Sequence, residues 1–416
     1  MKSYIIDGGK KLEGTVKISG SKNASLPILA ASILNGASNR LYNVPHINDT
    51  KITLEILKIL GCNIKRKGDK IEINSRNVTK TKIPEHLMKE MRSTVILAGA
   101  ILGRFNEVTF SYPGGCDIGA RPIDLHIKAF KKMGIDVIEE AGFIKCKANR
   151  IHGAKIDLDF PSVGATENII LAAVLADGTT VINNAAMEPE ITDLVNYLKK
   201  MGAKICGEGT KCITINGVKK IWSTNYNIMP DRIEAGTFLC AAAGTAGNIT
   251  IKNVNINHLS TIINKLEECG CAVDTEKNSV HLQAPKKLKC TLLRTMPYPG
   301  FPTDMQQIFS AMLTKADGTS IVIENIFESR YKFLSELQKM GANITIEGKT
   351  AIIKGCRKLH SSNITCTDLR GGAALIIAGL MAKGKTKIEN IDYILRGYEN
   401  IEEKLTSLGA KIKLEE

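Results

Sequence analysis

Aromatic residues make up 5% of the 416 residues, with a single tryptophan. Surfaces built for nucleic acid interleave aromatics with clustered cations. Here the lysines are spread along the whole chain, so the formal surplus of +14 charges is not read as a nucleic-acid groove. An anionic small-molecule substrate or a merely lysine-rich surface remains. No apolar run approaches the roughly 20 residues needed to cross a bilayer, so no membrane insertion is expected. Residues 1–11 are polar and charged, unlike a signal peptide. The eleven cysteines follow no pairwise spacing, which argues against a disulfide framework and for free thiols in a reducing cytoplasm. Cys269 and Cys271 lack a partner pair for a zinc knuckle and the seven histidines are dispersed, so neither a metal nor a cofactor is expected. GxGxxG does not occur, and the one GxxxxGKT match, Gly379 to Thr386, closes an apolar helix instead of opening one, which sets aside the standard nucleotide-binding folds.

What is present is a sixfold repeat. An apolar residue followed by glycine closes a helix at Leu60-Gly61, Met133-Gly134, Met201-Gly202, Cys269-Gly270, Met340-Gly341 and Leu408-Gly409, with spacings of 73, 68, 68, 71 and 68 residues. Each preceding helix is amphipathic. Between Glu190 and Met201, residues Ile191, Leu194, Val195, Leu198 and Met201 share one face of a 3.6-residue period. A second helix in each unit is apolar nearly all round and must be enclosed: Ser25 to Leu34, Arg92 to Leu102, Gly164 to Ala176, Arg232 to Ala243, Asp304 to Leu313 and Leu369 to Met381. A strand follows each, such as Thr179 to Asn183, and a hairpin such as Ala203 to Ile215 follows each amphipathic helix. The repeat reads α-β-α-β-β with parallel elements, an α/β class. The sixth unit stops after its first hairpin strand, and the strand-like Ser3 to Ile18 is expected to supply the remainder. With Trp222 to Pro230 read as an irregular connection, the expected domains are residues 22–229, and residues 1–21 with 230–416.

One stretch concentrates chemistry. Tyr112 to Asp124 sets a lone thiol, Cys116, among three glycines and two prolines, ahead of Arg121 and a helix. A thiol near a cation and a helix N-terminus can act as acid, base or nucleophile; a lone loop cysteine can also be incidental. Asp117 beside it tends to raise the thiol pKa. Cations recur at matched places. Lys22, Arg92, Arg232 and Arg370 precede or open apolar helices, and Arg121, Arg330 and Arg396 stand where a strand hands over to an amphipathic helix. A cation at a helix N-terminus opposes the helix dipole, so anion binding explains the pattern better than stability does; solvated surface arginines are the alternative. Asp231 and Asp304 each open an apolar helix, either as N-caps or, in a cationic setting, as a proton acceptor. Glu188-Pro189-Glu190 reads as a cap.

These pieces occur in order along the whole chain: Ser21-Lys22-Asn23-Ala24, Pro113 to Asp124, Ser162-Val163-Gly164-Ala165-Thr166, Met229-Pro230-Asp231-Arg232-Ile233-Glu234, Phe301-Pro302-Thr303-Asp304, Glu324-Asn325-Ile326-Phe327-Glu328-Ser329-Arg330, Thr367-Asp368-Leu369-Arg370-Gly371-Gly372 and Arg396-Gly397-Tyr398-Glu399. Together they resemble the UDP-N-acetylglucosamine 1-carboxyvinyltransferases, enolpyruvyl transferases of the first committed step of peptidoglycan synthesis. The resemblance implies two inside-out α/β barrel domains of three repeats each, with the active site in the interdomain cleft. It implies phosphoenolpyruvate and UDP-N-acetylglucosamine as substrates and no cofactor. Carried over, Cys116 is the proton donor and the thiol exposed to the epoxide fosfomycin, and Asp304 is the base. Lys22, Arg121 and Arg396 hold phosphate, while Arg330 and Arg370 hold the carboxylate. Asn23, Arg92, Arg121, Pro122, Ile123, Asp124, Leu125, Ser162, Val163, Gly164 and Ile326 line the two substrate sites. One departure is Phe160, where some members have a lysine near the nucleotide. Two other readings are weighed. The 5-enolpyruvylshikimate-3-phosphate synthases share the fold but lack the Gly-Gly-Cys loop. A basic repeat protein that binds RNA or partners is opposed by the matched arginines and sparse aromatics.

Overall fold

A computed structural model of the chain describes residues 2–114 and 123–415. The six signature glycines set where each repeat turns. Gly61, Gly134, Gly202, Gly270, Gly341 and Gly409 all have φ between +79° and +118°, where a side chain would be strained. They close the helices Asn48–Leu60, Asp124–Lys132, Pro189–Lys200, Ser260–Glu268, Leu334–Lys339 and Ile401–Ser407. The apolar helices are Lys22–Ala31, Ile96–Phe105, Val163–Ala173, Arg232–Gly244, Thr303–Leu313 and Leu369–Met381. The second of these is entered through a 3-10 turn, Arg92–Val95. Every residue of Leu369–Met381 is buried.

Among the described residues the strands form six sheets with one plan. The strand after each apolar helix pairs antiparallel with the second hairpin strand, which pairs antiparallel with the first. Thr319–Ile323, Thr350–Lys354 and Asn343–Glu347 are one such set. A short outer strand pairs parallel with the strand after the helix, as Leu292–Arg294 does with Thr319–Ile323. The expectation of parallel elements is therefore correct only for that outer pair, because a hairpin forces its own strands antiparallel. The stretch 222–230, read as irregular, contains the outer strand Asn225–Asn227, paired with Ser38–Tyr42. Three residues are too few to show an alternation. In the three-stranded sheet, a single parallel bridge from Lys82 to Thr109 stands at the outer position.

The N-terminal strand Ser3–Gly8 lies between Gly384–Glu389 and Lys411–Glu415, antiparallel to both. That is the place the second hairpin strand takes in the other sheets. Glu13–Lys17 is the outer strand beside Asn248–Lys252.

By packing, the described residues divide into two units, one of residues 20–229 and one of residues 2–19 with 230–415. Each has three of the sheets, three of the apolar helices and its own hydrophobic core. Within the unit of residues 20–229, a Cβ at Gly99 would stand 2.5 Å from the backbone oxygen of Asn168, and one at Gly103 2.5 Å from that of Leu171. Two glycines one turn apart thus let Ile96–Phe105 lie directly on Val163–Ala173.

Candidate active site

In the unit of residues 2–19 and 230–415, the polar residues of the apolar helix Thr303–Leu313 gather a buried charge cluster. Asp304 takes no part in capping: the N-cap position is Pro302, with no side-chain cap. Its Oδ1 accepts from Arg330 Nη2 at 2.7 Å, and its Oδ2 accepts from Nε and Nη2 of Arg370 at 3.2 and 3.1 Å. Both arginine side chains are 3% exposed, whereas Asp304 is 28% exposed, so the carboxylate is the open end of a buried cationic pair. Burial pushes the Arg370 guanidinium down, but Tyr398, Asp304 and Asp231 outweigh it and the net shift is upward. The guanidinium also lies 5.4 Å from the centre of the Tyr398 ring.

The remaining donors and acceptors are fixed by residues the sequence reading left without a role. Glu324, buried, accepts from Thr295 and Thr303 hydroxyls, each at 2.9 Å, and from the backbone N–H of Ile326 at 2.8 Å. Arg330 Nη1 donates to Thr303 Oγ1 at 2.8 Å. Gln307 donates to Asp368 Oδ2 at 2.9 Å, while Asp368 Oδ1 caps the helix of Arg370. Ile326, Arg330, Asp304 and Arg370 are thus brought into one network. Arg396 follows the short helix Asp392–Leu395, two residues before Tyr398. Asp231 is an N-cap, accepting from the N–H groups of Ile233 and Glu234.

In the unit of residues 20–229, Lys22 is the first residue of its helix, capped by Ser21. Its Nζ lies 3.0 Å from Oδ2 of the fully buried Asp49, so the ammonium at this N-terminus is held by the chain itself. Asn23 is the next residue of the same helix. Ser162 caps Val163–Ala173 by accepting from Ala165 N–H at 3.3 Å, leaving the N–H groups of Val163 and Gly164 in the first turn. The backbone N–H of Ser162 donates to Phe160 O at 2.7 Å, and the Phe160 side chain is exposed. Glu188 stands at an N-cap position but makes no side-chain cap, against the sequence reading. Ile123 is buried, and Asp124 and Leu125 open the helix Asp124–Lys132. Lys128, one turn on, lies 3.8 Å from Asp124 and 3.3 Å from Asp159.

His126 and Asn168 tie these segments together. Asn168 Oδ1 accepts from Gly99 N–H at 2.7 Å, and its Nδ2 donates to Val95 O at 3.0 Å. The amide therefore bridges a carbonyl and an N–H four residues apart, at the step from the 3-10 turn of Arg92 into the α-helix. Those backbone partners fix which end of the amide is nitrogen. His126 Nδ1, 2.7 Å from Nδ2, must then accept, and its proton sits on Nε2. Burial first, then the charge of Arg92, pushes His126 down to about 4. Its Nε2 edge faces Gly164, where a Cβ would lie 3.5 Å away. The signals for these two residues were a histidine beside Leu125 and an asparagine on an otherwise apolar helix.

Cys116, Arg121 and Pro122 lie outside the described residues. The ten cysteines that are described are free thiols, and no group of three or more metal-binding side chains occurs among the described residues.

The chain matches the family of EPSP synthase (3-phosphoshikimate 1-carboxyvinyltransferase) over residues 6–405. It is 49% identical, over 99% of both chains, to UDP-N-acetylglucosamine 1-carboxyvinyltransferase 2 of Caldanaerobacter subterraneus subsp. tengcongensis. It is 46% identical, again over 99% of both chains, to the UDP-N-acetylglucosamine 1-carboxyvinyltransferase of Geotalea daltonii. Its fold is similar to that of the enolpyruvyl transferase NikO from Streptomyces tendae, with a TM-score of 0.91 at 24% identity, covering 99% of this chain and 98% of that one. The EPSP synthase of Acinetobacter baumannii follows at a TM-score of 0.78 and 19% identity, with full coverage of both chains. With a family match spanning nearly its whole length and relatives near half identical, this chain belongs to the enolpyruvyl transferases, among the UDP-N-acetylglucosamine 1-carboxyvinyltransferases.

Proposed function

We propose that the protein transfers the enolpyruvyl group of phosphoenolpyruvate to the 3′-hydroxyl of UDP-N-acetylglucosamine and releases phosphate, the entry step of peptidoglycan synthesis. The observation that carries the reading is the Asp304, Arg330 and Arg370 cluster, in which two buried guanidinium groups converge on one partly exposed carboxylate. Such a pair suits the flat carboxylate of phosphoenolpyruvate. Phosphate release should require both substrates together. Release with shikimate 3-phosphate in place of the sugar nucleotide would favour the sister activity, and release with neither acceptor would sink both.

On this reading the sugar oxygen bonds to C2 of phosphoenolpyruvate as Asp304 takes the hydroxyl proton, and C3 gains a proton from Cys116. The tetrahedral ketal then loses phosphate and a C3 proton to give the enolpyruvyl ether. Lys22, Arg121 and Arg396 hold the phosphate, and fixed cations aimed at developing charge are the main catalytic contribution. Asn23, Arg92, Pro122, Ile123, Asp124, Leu125, Ser162, Val163, Gly164 and Ile326 contact the substrates. The three-sheet, three-helix packing of each unit supports the inside-out barrel as the fold in detail.

The exposed Phe160 offers no cation to the diphosphate. Lys128, which reaches Asp159 one residue before it, takes that part on this reading. Lys128→Ala is expected to raise KM for UDP-N-acetylglucosamine about twofold to fivefold, the scale of one exposed ion contact, and to leave KM for phosphoenolpyruvate unchanged. Equal changes in both constants would remove Lys128 from the nucleotide site.

A further inference from the structure

The six sheets share a plan, so their outward faces can be compared row by row. In five of them the middle outward row carries charge: Arg40 and Glu72, Lys145, Lys155, Asp274, or Lys387 and Lys413. The sheet of Leu292–Arg294, Thr319–Ile323, Thr350–Lys354 and Asn343–Glu347 is the exception. Its middle row runs Leu292, Ile321, Ile352, Thr345. Leu292 is 51% and Ile321 40% exposed, while the alternate residues Leu293, Val322 and Ile353 are fully buried. Three branched aliphatic side chains side by side on the water-facing surface are not needed by the core beneath them.

The next row gives the surface a direction. It runs Arg294, Ile323, Thr350, Glu347, with opposite charges on the two outer strands. Both charged residues are exposed, and neither side chain makes an ion pair or hydrogen bond among the described residues. A two-fold axis parallel to the strands would lay each outer strand over the opposite outer strand of a second copy. Arg294 would then meet Glu347 of the other copy at both ends. Ile321 would pack on Ile352, and Lys354, from the row on the other side, would face Thr319. Each row is complementary to itself under that one operation, and no like charges are opposed.

We propose that this sheet face is a self-complementary surface through which two copies of the chain pair, packed sheet to sheet in the aligned manner. The inference is independent of the catalytic reading. Sedimentation velocity on the full chain, from micromolar to hundred-micromolar concentration, is expected to show a monomer–dimer equilibrium. Arg294→Glu and Glu347→Arg should each weaken association by at least about tenfold, since each sets like charges opposite one another. The double variant should recover most of the loss, and Ile321→Glu should leave monomer. Thermal melting by circular dichroism confirms that each variant is folded. A wild-type chain that stays monomeric throughout overturns the proposal, whatever else covers the face. So does a dimer that neither charge variant weakens, or one whose weakening the double variant fails to recover.

Discussion

Asp304→Asn should lower kcat by about 10²–10⁴-fold, the usual contribution of a positioned proton acceptor, while leaving the shape of the side chain nearly unchanged. The same substitution should destabilise the unit that contains it. Two guanidinium groups, each 3% exposed, lose the carboxylate on which both converge. Breaking a buried pair by removing one partner costs about 3–5 kcal/mol, and the partial exposure of Asp304 points to the lower end of that range. The two effects separate experimentally. Turnover at saturating substrate reads the proton transfer, and calorimetric melting reads the ion pair. Wild-type kcat in the asparagine variant would remove Asp304 as the base, and an unchanged melting temperature would deny the cluster its structural role. Asp304→Glu keeps the charge but shifts the oxygens, so it should recover more of the melting temperature than of the rate.

The second large effect concerns His126 and acid. Its folded pKa of about 4 lies below the ordinary 6.5, so between those values the unfolded chain binds more protons than the folded one. The stabilisation it gives is complete above pH 6.5 and is lost as pH falls toward 4. The loss amounts to about 2 kcal/mol by pH 5. Asp193 titrates in the same window with the opposite sign, because burial lifts it to about 6, so the wild-type curve alone hides the effect. His126→Gln keeps an acceptor for Asn168 and cannot charge. Its stability deficit relative to wild type at pH 7, measured by chemical denaturation, should shrink by about 2 kcal/mol at pH 5. A deficit that stays constant would mean that His126 does not titrate as its surroundings imply. Since its Nε2 edge faces Gly164, the variant should also raise KM for the sugar nucleotide more than it lowers kcat.

The repeat was legible because it rests on local rules. A left-handed glycine after an amphipathic helix is visible in any one unit, and six of them confirm one another. Apolar helices announce their own burial. The shortfall of the sixth unit was a matter of counting strands, and Ser3–Gly8 stands where the missing one belongs. The outer strands were not legible, because three residues such as Asn225–Asn227 carry no period. The candidate site was legible where a charged residue interrupts an apolar helix, as Arg370 and Asp304 do. Its supports were hidden because a buried polar residue has no sequence signature of its partner. Asp49 passes for a helix-opening acid, Glu324 for a strand end and Asn168 for a blemish. Their meaning depends on which backbone groups other helices bring to them.

The strand Ser3–Gly8 has a further consequence for biosynthesis. The described residues of the unit of residues 20–229 all lie between the two parts of the other unit, so its sheets can pair before residues 230–415 have been translated. The other unit cannot close its sheet until Ser3 meets both Glu389 and Glu415, a loop spanning almost the whole chain. Ser3–Gly8 therefore finds its first partner only once residues 384–389 have been translated and its second only with residues 411–415, and its edges stay open until then.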